Sequence, residues 1–226
     1  MTSDLSELRE RIDADPVLCD LQAFVTERLD DDPGHDLHHA HRVALTTIHL
    51  LEGPPELERL AIVAALFHDL VNLPKNSPER AEASVRSAAV ARDAMAGRGF
   101  PEQDITMVSD AVRDHSFSRG RIPETRLGKA LQDADRLEAL GALGLLRTIS
   151  TGTRMGAQYF HAADPFARRG RELDDQRYSV DHFFQKLFDL PATMQTDGGR
   201  REARRRAQFL HGFLSQLGSE LGETYR

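Results

Sequence analysis

Cysteine is almost absent from the sequence. Cys19 is the single cysteine, so no intrachain disulfide can form, and nothing indicates an oxidising compartment. Long apolar runs are absent too. Residues 1–16 are polar and acidic, unlike a secretory signal, and no stretch has the roughly 18 apolar residues of a membrane-spanning helix. We therefore expect a cytoplasmic protein without a membrane partner.

Positive charge is in deficit. The chain has 29 Lys and Arg against 36 Asp and Glu, which gives a formal net charge of −7 and a pI near 5.8. General binders of nucleic acid or anionic membranes carry a net basic footprint, so we expect no stable nucleic-acid partner. The basic run at residues 200–206 is interrupted by Glu202, which favours an exposed helix face.

Length and composition limit the architecture. Hydrophobic residues make up 40% and charged residues 29% of the 226 positions, which is ordinary for a globular protein and excludes a mostly disordered chain. A chain of this length can fill one core or divide into two small domains. We predict one domain over residues 1–226.

Strand patterns are nearly absent, whereas helical periodicity is widespread. The sequence therefore predicts an all-α protein, a single-domain helical bundle. The predicted helices cover residues 4–12, 16–30, 36–51, 56–70, 78–97, 101–114, 126–149, 179–189 and 197–221. Residues 151–178 show no clear period, so they form either a flap over a site or a surface excursion.

Histidine is concentrated in one segment. HDLHHAHRV, residues 35–43, holds four of the ten histidines. On a helical wheel His39 and His41 lie at opposite edges of an apolar stripe, whereas His38 lies on the far side. The stripe consists of Leu37, Ala40, Ala44, Ile48 and Leu51. This geometry nominates His39 or His41 as a ligand without choosing, and a solvated or hydrogen-bonded histidine is the alternative.

A second polar feature ends a predicted buried helix. LERLAIVAALFHDL is apolar almost all round from Leu60 to Phe67 and finishes with His68 and Asp69. Burying an unpaired carboxylate is costly, so this pair requires a hydrogen bond, an ion pair or a metal. The alternative is that Asp69 only orients His68 near the helix end.

A third feature is an acidic patch in GKALQDADRLEALGALGLLRTI, residues 128–149. Asp135 and Glu138 are three residues apart and share a helix face, whereas Asp133 points elsewhere. Arg136 could neutralise part of this charge, so an ordinary surface ion pair is the alternative.

The ordered set of His39, the pair His68-Asp69 and a distant Asp in ADRL resembles the HD superfamily of metal-dependent phosphohydrolases. The segments GHDLHHAHRV, FHDLVNLPKN, DHSFS, QDADRLEALGALGLLRT and DHFFQKLFDLPATMQT are similar to one subgroup of small stand-alone bacterial members. Some relatives of that subgroup hydrolyse nucleoside triphosphates to monophosphate and pyrophosphate. The resemblance covers roughly residues 16–220.

The resemblance implies a metal centre. Its ligands would be His39, His68, Asp69 and Asp135. The family pattern H-x-x-R-V selects His39 over His41, and A-D-R-L selects Asp135, with Asp133 as the substitute. Mixed nitrogen and oxygen ligands suit Mn²⁺ foremost, with Co²⁺, Ni²⁺, Mg²⁺, Fe²⁺ or Zn²⁺ as alternatives, better than Ca²⁺. Such an ion lowers the pKa of water and polarises a phosphate oxygen, which leads to phosphoester or phosphoanhydride hydrolysis.

Further roles follow from the same comparison. Asp69 and His115 are the predicted catalytic residues. The predicted substrate contacts are Arg42, Lys75, Asn76 and Lys186, each with a solvated surface residue as its alternative. Some nucleotide-cleaving relatives place a glutamate soon after the His-Asp pair, but here no carboxylate occurs before Glu79. The general acid or base is therefore open among His115, Asp133 and Glu138.

Four functions remain in competition. The leading prediction is a phosphohydrolase that releases pyrophosphate from nucleotides, with a small-molecule nucleotide as its partner. A monophosphatase or phosphodiesterase of the same fold is the second. The third is a non-catalytic helical module that binds a nucleotide or protein, and the fourth is a di-iron oxygenase on a related scaffold, which would use additional histidines. A homo-oligomer is left open.

Overall fold

The computed structural model describes residues 2–29, 36–51, 54–71, 73, 79–116 and 119–225. These residues form helices and loops with an isolated bridge between Gln158 and Tyr178, and no strand occurs among them. The all-α prediction is confirmed for this part of the chain. None of its helices combines the length and apolar character needed to cross a bilayer.

Residue contacts divide the chain into two compact units, Met1–Asp135 and Arg136–Arg226, and each is described by itself. The expectation of a single domain over residues 1–226 stays a prediction.

The first unit is built around one buried helix. Its elements are α1 (Leu5–Ala14), α2 (Pro16–Thr26), α3 (Leu37–Leu51), α4 (Pro55–Phe67), a 3₁₀ turn (Arg80–Glu82), α5 (Ala83–Ala96), α6 (Glu102–Asp114) and α7 (Arg126–Leu137) as far as Asp135. Helix α4 contacts α2, α3, α5 and α6. Every residue of α4 from Leu60 to Phe67 is buried, as its continuous apolar pattern predicts.

Polar contacts fix the start of α2 against α4. Asp15 accepts hydrogen bonds from the backbone N–H groups of Val17 and Leu18, with Pro16 at the first helical position. Arg59 of α4 donates to the other oxygen of Asp15 at 2.7 Å. This hydrogen bond is the main reason that the pKa of Asp15 lies below its usual range. One aspartate therefore caps a helix and joins it to the buried one.

The second unit contains α8 (Gly141–Arg154), α9 (Asp181–Gln185), a 3₁₀ helix (Leu187–Thr193) and α10 (Asp197–Leu221). Helix α10 packs against α8 and the 3₁₀ helix, and α9 packs against the 3₁₀ helix.

The prediction of one helix over residues 126–149 is wrong. The chain leaves helical geometry between α7 and α8, where Leu140 is extended and Gly141 has φ +71°. Only glycine adopts that φ without strain. A Cβ at Gly144 would lie 2.2 Å from the carbonyl oxygen of Ala139, so the turn also requires a close backbone approach.

The predicted helix over residues 179–189 is also wrong in part. Its α-helical portion ends at Gln185, and the following 3₁₀ helix contains Pro191. Lys186 lies between the two with φ −139°, outside the helical region, which explains the break.

The segment without a clear period is organised by a buried carboxylate. Asp181 is fully buried and accepts hydrogen bonds from Arg171 at 2.6 and 2.7 Å and from the backbone N–H of Asp174 at 2.8 Å. The segment is therefore tied to the start of α9. Its role as a flap stays a prediction.

Replacing Arg171 with Met should destabilise the second unit. The change leaves the Asp181 carboxylate buried without its cationic partner, which costs about 3–5 kcal/mol. Urea denaturation measures this loss. Arg205→Met is the matched control, because Arg205 pairs with Glu202 on an exposed face and its loss should matter much less. Equal losses in the two variants would contradict the importance of the buried pair.

Candidate metal centre

His39 occupies the first turn of α3. The side chain of Asp36 accepts a hydrogen bond from the His39 backbone N–H at 2.8 Å, so it fixes the start of the helix. His39 is only 1% exposed. Its neighbour His41 is also buried, but it contacts Gln22 of α2 at 2.6 Å from its Nε2 atom. Burial of its ring is the main reason that the pKa of His41 is lowered to about 4.

His68 caps the C-terminal end of α4. Its Nδ1 atom donates to the carbonyl oxygen of Ala65 at 2.7 Å, since a carbonyl can only accept. The Nε2 atom lies 3.1 Å from Nε2 of His39. Burial lowers the pKa of His68 to about 4, so the imidazole is neutral at physiological pH. A neutral imidazole held at one nitrogen by a carbonyl is the form in which histidine binds metals.

Two carboxylates complete the cluster. Asp69 Oδ2 lies 3.4 Å from His68 Nε2 and 3.9 Å from His39 Nε2. Asp135 Oδ1, on α7, lies 3.7 Å from His39 Nε2 and 3.9 Å from His68 Nε2. One ligand atom from each of the four residues lies within 4.8 Å of the other three. The structure thus brings together all four predicted metal ligands.

The spacing of these atoms fits a single ion. In an octahedral shell, ligand atoms about 2.1 Å from the ion lie about 3.0 Å apart when adjacent and about 4.2 Å apart when opposite. The distances from each histidine Nε2 atom to the other ligand atoms, from 3.1 to 3.9 Å, fall between these limits, and all four atoms lie within 4.8 Å of one another. Two imidazoles and two carboxylates suit a divalent transition metal, and the carboxylates balance its charge. The four residues could therefore hold such an ion, and their role as ligands stays a prediction.

His115 lies beside this cluster at the end of α6. Its Nδ1 atom donates to Val112 O at 2.6 Å, and its Nε2 atom lies 3.4 Å from Asp69 Oδ1. The ring meets that of His68 edge-on, with centroids 5.1 Å apart. Burial lowers the pKa of His115, but the hydrogen bond to Asp69 and the charges of Asp69 and Asp135 outweigh this effect and raise it. The Oδ2 atom of Asp69 therefore faces the other members of the cluster, whereas its Oδ1 atom faces His115.

The remaining predicted residues have mixed outcomes. Asp133, the substitute ligand, is fully buried and is not part of the cluster found among the described residues. Arg42 is half-buried on α3, and Lys186 is half-buried in the second unit. Lys75 and Asn76 lie outside the described residues. That Arg42, Lys75, Asn76 and Lys186 contact the substrate stays a prediction.

Sequence reasoning missed Asp36. An aspartate just before a predicted helix is a standard N-cap signal, and its position three residues before His39 could have identified it.

The fold and cluster define a class: a helical protein in which two histidines and two aspartates from three separate parts of the chain surround one point suited to a divalent metal. Residues 36–140 match the HD domain model, and the chain belongs to this family. The resemblance seen in the sequence is thereby confirmed.

Similar proteins span nearly the whole chain. The YpgQ protein of Bacillus subtilis (strain 168) is 30% identical over 220 residues, covering 95% of this chain and 96% of YpgQ. The crystal structure of Bacillus subtilis YpgQ in complex with ADP matches with a TM-score of 0.67 and 27% identity, over 89% of this chain and 96% of the other. An HD-superfamily hydrolase from Bacillus thuringiensis matches with a TM-score of 0.68 and 26% identity, over 95% and 98%.

The choice between Asp135 and Asp133 can be tested by thermal unfolding with and without Mn²⁺. An ion that binds only the folded protein raises its melting temperature. Asp135→Ala should abolish this rise, whereas Asp133→Asn should retain it, because only Asp135 belongs to the cluster. A Mn²⁺-dependent rise that survives in Asp135→Ala and disappears in Asp133→Asn would reverse the assignment.

Proposed function

We propose that the protein is a metal-dependent phosphohydrolase that converts nucleoside or deoxynucleoside triphosphates to monophosphate and pyrophosphate. One observation carries the proposal: the four-residue cluster is buried on its histidine side and open on its carboxylate side. The side chains of His39 and His68 are 1% and 2% exposed, whereas those of Asp69 and Asp135 are 30% and 25% exposed. Solvent and a substrate phosphate can reach the cluster from that open side.

The similarity to YpgQ supports a nucleotide substrate. That protein has been crystallised in complex with ADP, whose linked phosphates are the kind of group that an HD-type metal centre can polarise. Its 30% identity over 95% of this chain makes it reasonable to propose the same ligand class here.

The four ligands and His115 would have different tasks in the reaction. A divalent ion bound by His39, His68, Asp69 and Asp135 would lower the pKa of water and polarise a phosphate oxygen. Asp69 can accept the proton that the attacking water loses. The pKa of His115 is raised, and in its imidazolium form the ring carries a proton at Nε2, beside Asp69 Oδ1, that it can donate to the leaving phosphate oxygen. We assign both residues catalytic roles on this basis.

Phosphate groups also need cations that neutralise their charge. We propose Arg42, Lys75 and Lys186 for this task and Asn76 as a hydrogen-bond donor, as the sequence comparison implies. Arg42 lies on α3, three residues after His39, and is therefore on the same helix as a proposed metal ligand.

The substrate class is tested with metal-free protein, a panel of nucleoside mono-, di- and triphosphates, and added Mn²⁺, Co²⁺ or Mg²⁺. We expect triphosphates to give monophosphate and pyrophosphate, with Mn²⁺ the most effective ion. Orthophosphate released from monophosphates would support a monophosphatase instead. Retained nucleotide binding without any product would support a non-catalytic module.

Asp69→Ala should abolish turnover while leaving the helical fold intact, because the residue is a proposed ligand and proton acceptor at the edge of the core. Circular dichroism checks the fold, and pyrophosphate release checks activity. Asp93→Ala is the control, since Asp93 is an exposed aspartate of α5 and should retain full turnover. Undiminished turnover in Asp69→Ala would contradict the assigned site.

A further inference from the structure

Gln132 ties together the two ends of the segment that connects α6 and α7. It lies on α7, one helical turn before Asp135, and is fully buried. Its Nε2 atom donates hydrogen bonds to two backbone carbonyl oxygens, that of Asp114 at 3.0 Å and that of Arg121 at 2.9 Å. Both amide hydrogens are thereby used. The amide oxygen Oε1 is buried and has no hydrogen-bond partner among the described residues.

The orientation of this amide is fixed by its partners. Carbonyl oxygens only accept hydrogen bonds, so a flipped amide would place its own oxygen against those of Asp114 and Arg121. The two hydrogen bonds therefore hold the carbonyl groups of Asp114 and Arg121 in one fixed arrangement around the amide.

The hydrogen bond from Gln132 to Asp114 acts on the peptide group next to His115. The carbonyl group of Asp114 belongs to the peptide plane that includes the His115 nitrogen. The imidazole is in turn fixed to the end of α6 through Val112 O, and its Nε2 atom lies 3.4 Å from Asp69 Oδ1. A shift of the Asp114 peptide group therefore shifts the imidazole relative to Asp69. Displacements of about 1 Å can lower turnover about 100-fold.

We propose that Gln132 is a positioning residue that holds His115 beside Asp69 by fixing the peptide group between Asp114 and His115. The inference rests on the proposed function, because it gives Gln132 an effect on turnover that acts through His115. Helix α7 also carries Asp135, so the same rigid element sets the places of a proposed ligand and of the proposed proton donor.

A purely structural role would have different consequences. The Asp114 carbonyl is among the last four of α6, which lack partners within the helix, and Gln132 satisfies it. If this were its whole contribution, substitution would lower stability but leave the turnover of the folded protein unchanged. The two roles therefore separate in kinetics.

The test compares Gln132→Met, which keeps length but removes the donor, with Gln132→Glu, which keeps shape. Both should lower kcat about 10- to 100-fold, the size of loss typical of residues that orient metal ligands. KM and Mn²⁺ affinity should stay nearly unchanged. Gln132→Asn, which keeps the amide but is too short for both carbonyls, should show a smaller loss and serves if the others do not fold. Unchanged kcat in folded variants would overturn the proposal.

Gln22→Met is the matched control. It removes a glutamine side-chain hydrogen bond elsewhere in the first unit, the one to the buried His41, and should lower the melting temperature without lowering kcat. A kcat loss as large as in Gln132→Met would show that general destabilisation is the cause.

A double-mutant cycle tests whether Gln132 acts through His115. In the His115→Ala background, Gln132→Met should reduce the residual rate no further, because the group that it positions is gone. Two independent, multiplying losses would contradict the proposed route.

A readout without catalysis keeps this inference separate from the proposed function. In ¹⁵N-labelled protein, Gln132→Met should shift the ring resonances of His115 and leave those of His182, in the second unit, in place. Unmoved His115 resonances would overturn the positioning role. A wild-type protein that cleaves no nucleotide would instead overturn the proposed function, and the resonance comparison would still decide the role of Gln132.

Discussion

The convergence of two imidazole nitrogens and two carboxylate oxygens on one point is the constraint on which the candidate site depends. His68 uses the hydrogen of Nδ1 to bond the carbonyl of Ala65, so its Nε2 atom presents a lone pair 3.1 Å from Nε2 of His39. Asp69 and Asp135 bring two carboxylate oxygens to the same place. These four atoms would bind a cation at their centre, and its charge would balance the two carboxylates. Burial keeps His68 in the neutral form that a cation needs, with a pKa of about 4.

Helix ends deliver most of these groups. His39 comes from the first turn of α3, whose backbone Asp36 fixes, and Asp135 comes from α7. The rings of His68 and His115 are held in the same way. Each follows the last residue of its helix and donates from Nδ1 to the carbonyl three residues earlier. Both Nε2 atoms therefore face Asp69, and the partial negative charge at the ends of α4 and α6 favours a cation nearby.

The sequence predicts those parts of the structure that depend on local pattern. Helix α4 is buried because its apolar residues leave no polar face, and a periodic pattern shows that directly. The helical wheel could not separate His39 from His41, since both are buried to nearly the same extent. The contact that distinguishes them, between His41 and Gln22, joins two helices. In this case the family motif supplied what local geometry could not.

Features that depend on distant contacts or on single backbone angles escaped the sequence reading. The break between α7 and α8 depends on the positive φ of Gly141, which leaves helical periodicity on both sides unchanged. Gln132 lies in an acidic helical segment, so the local pattern predicts a surface residue. Its side chain is nevertheless fully buried, with the amide against two carbonyl groups. The pair of Arg171 and Asp181 joins positions in a segment without any period. No local pattern marks such partners.

In the proposed site, three separate parts of the chain meet at one ion. Anomalous scattering from a crystal soaked in Mn²⁺ tests it most directly, because the signal locates the metal without reference to activity. We predict one strong peak about 2.0–2.3 Å from His39 Nε2, His68 Nε2, Asp69 Oδ2 and Asp135 Oδ1. A fully occupied peak elsewhere, with these four atoms turned away from a common point, would contradict it.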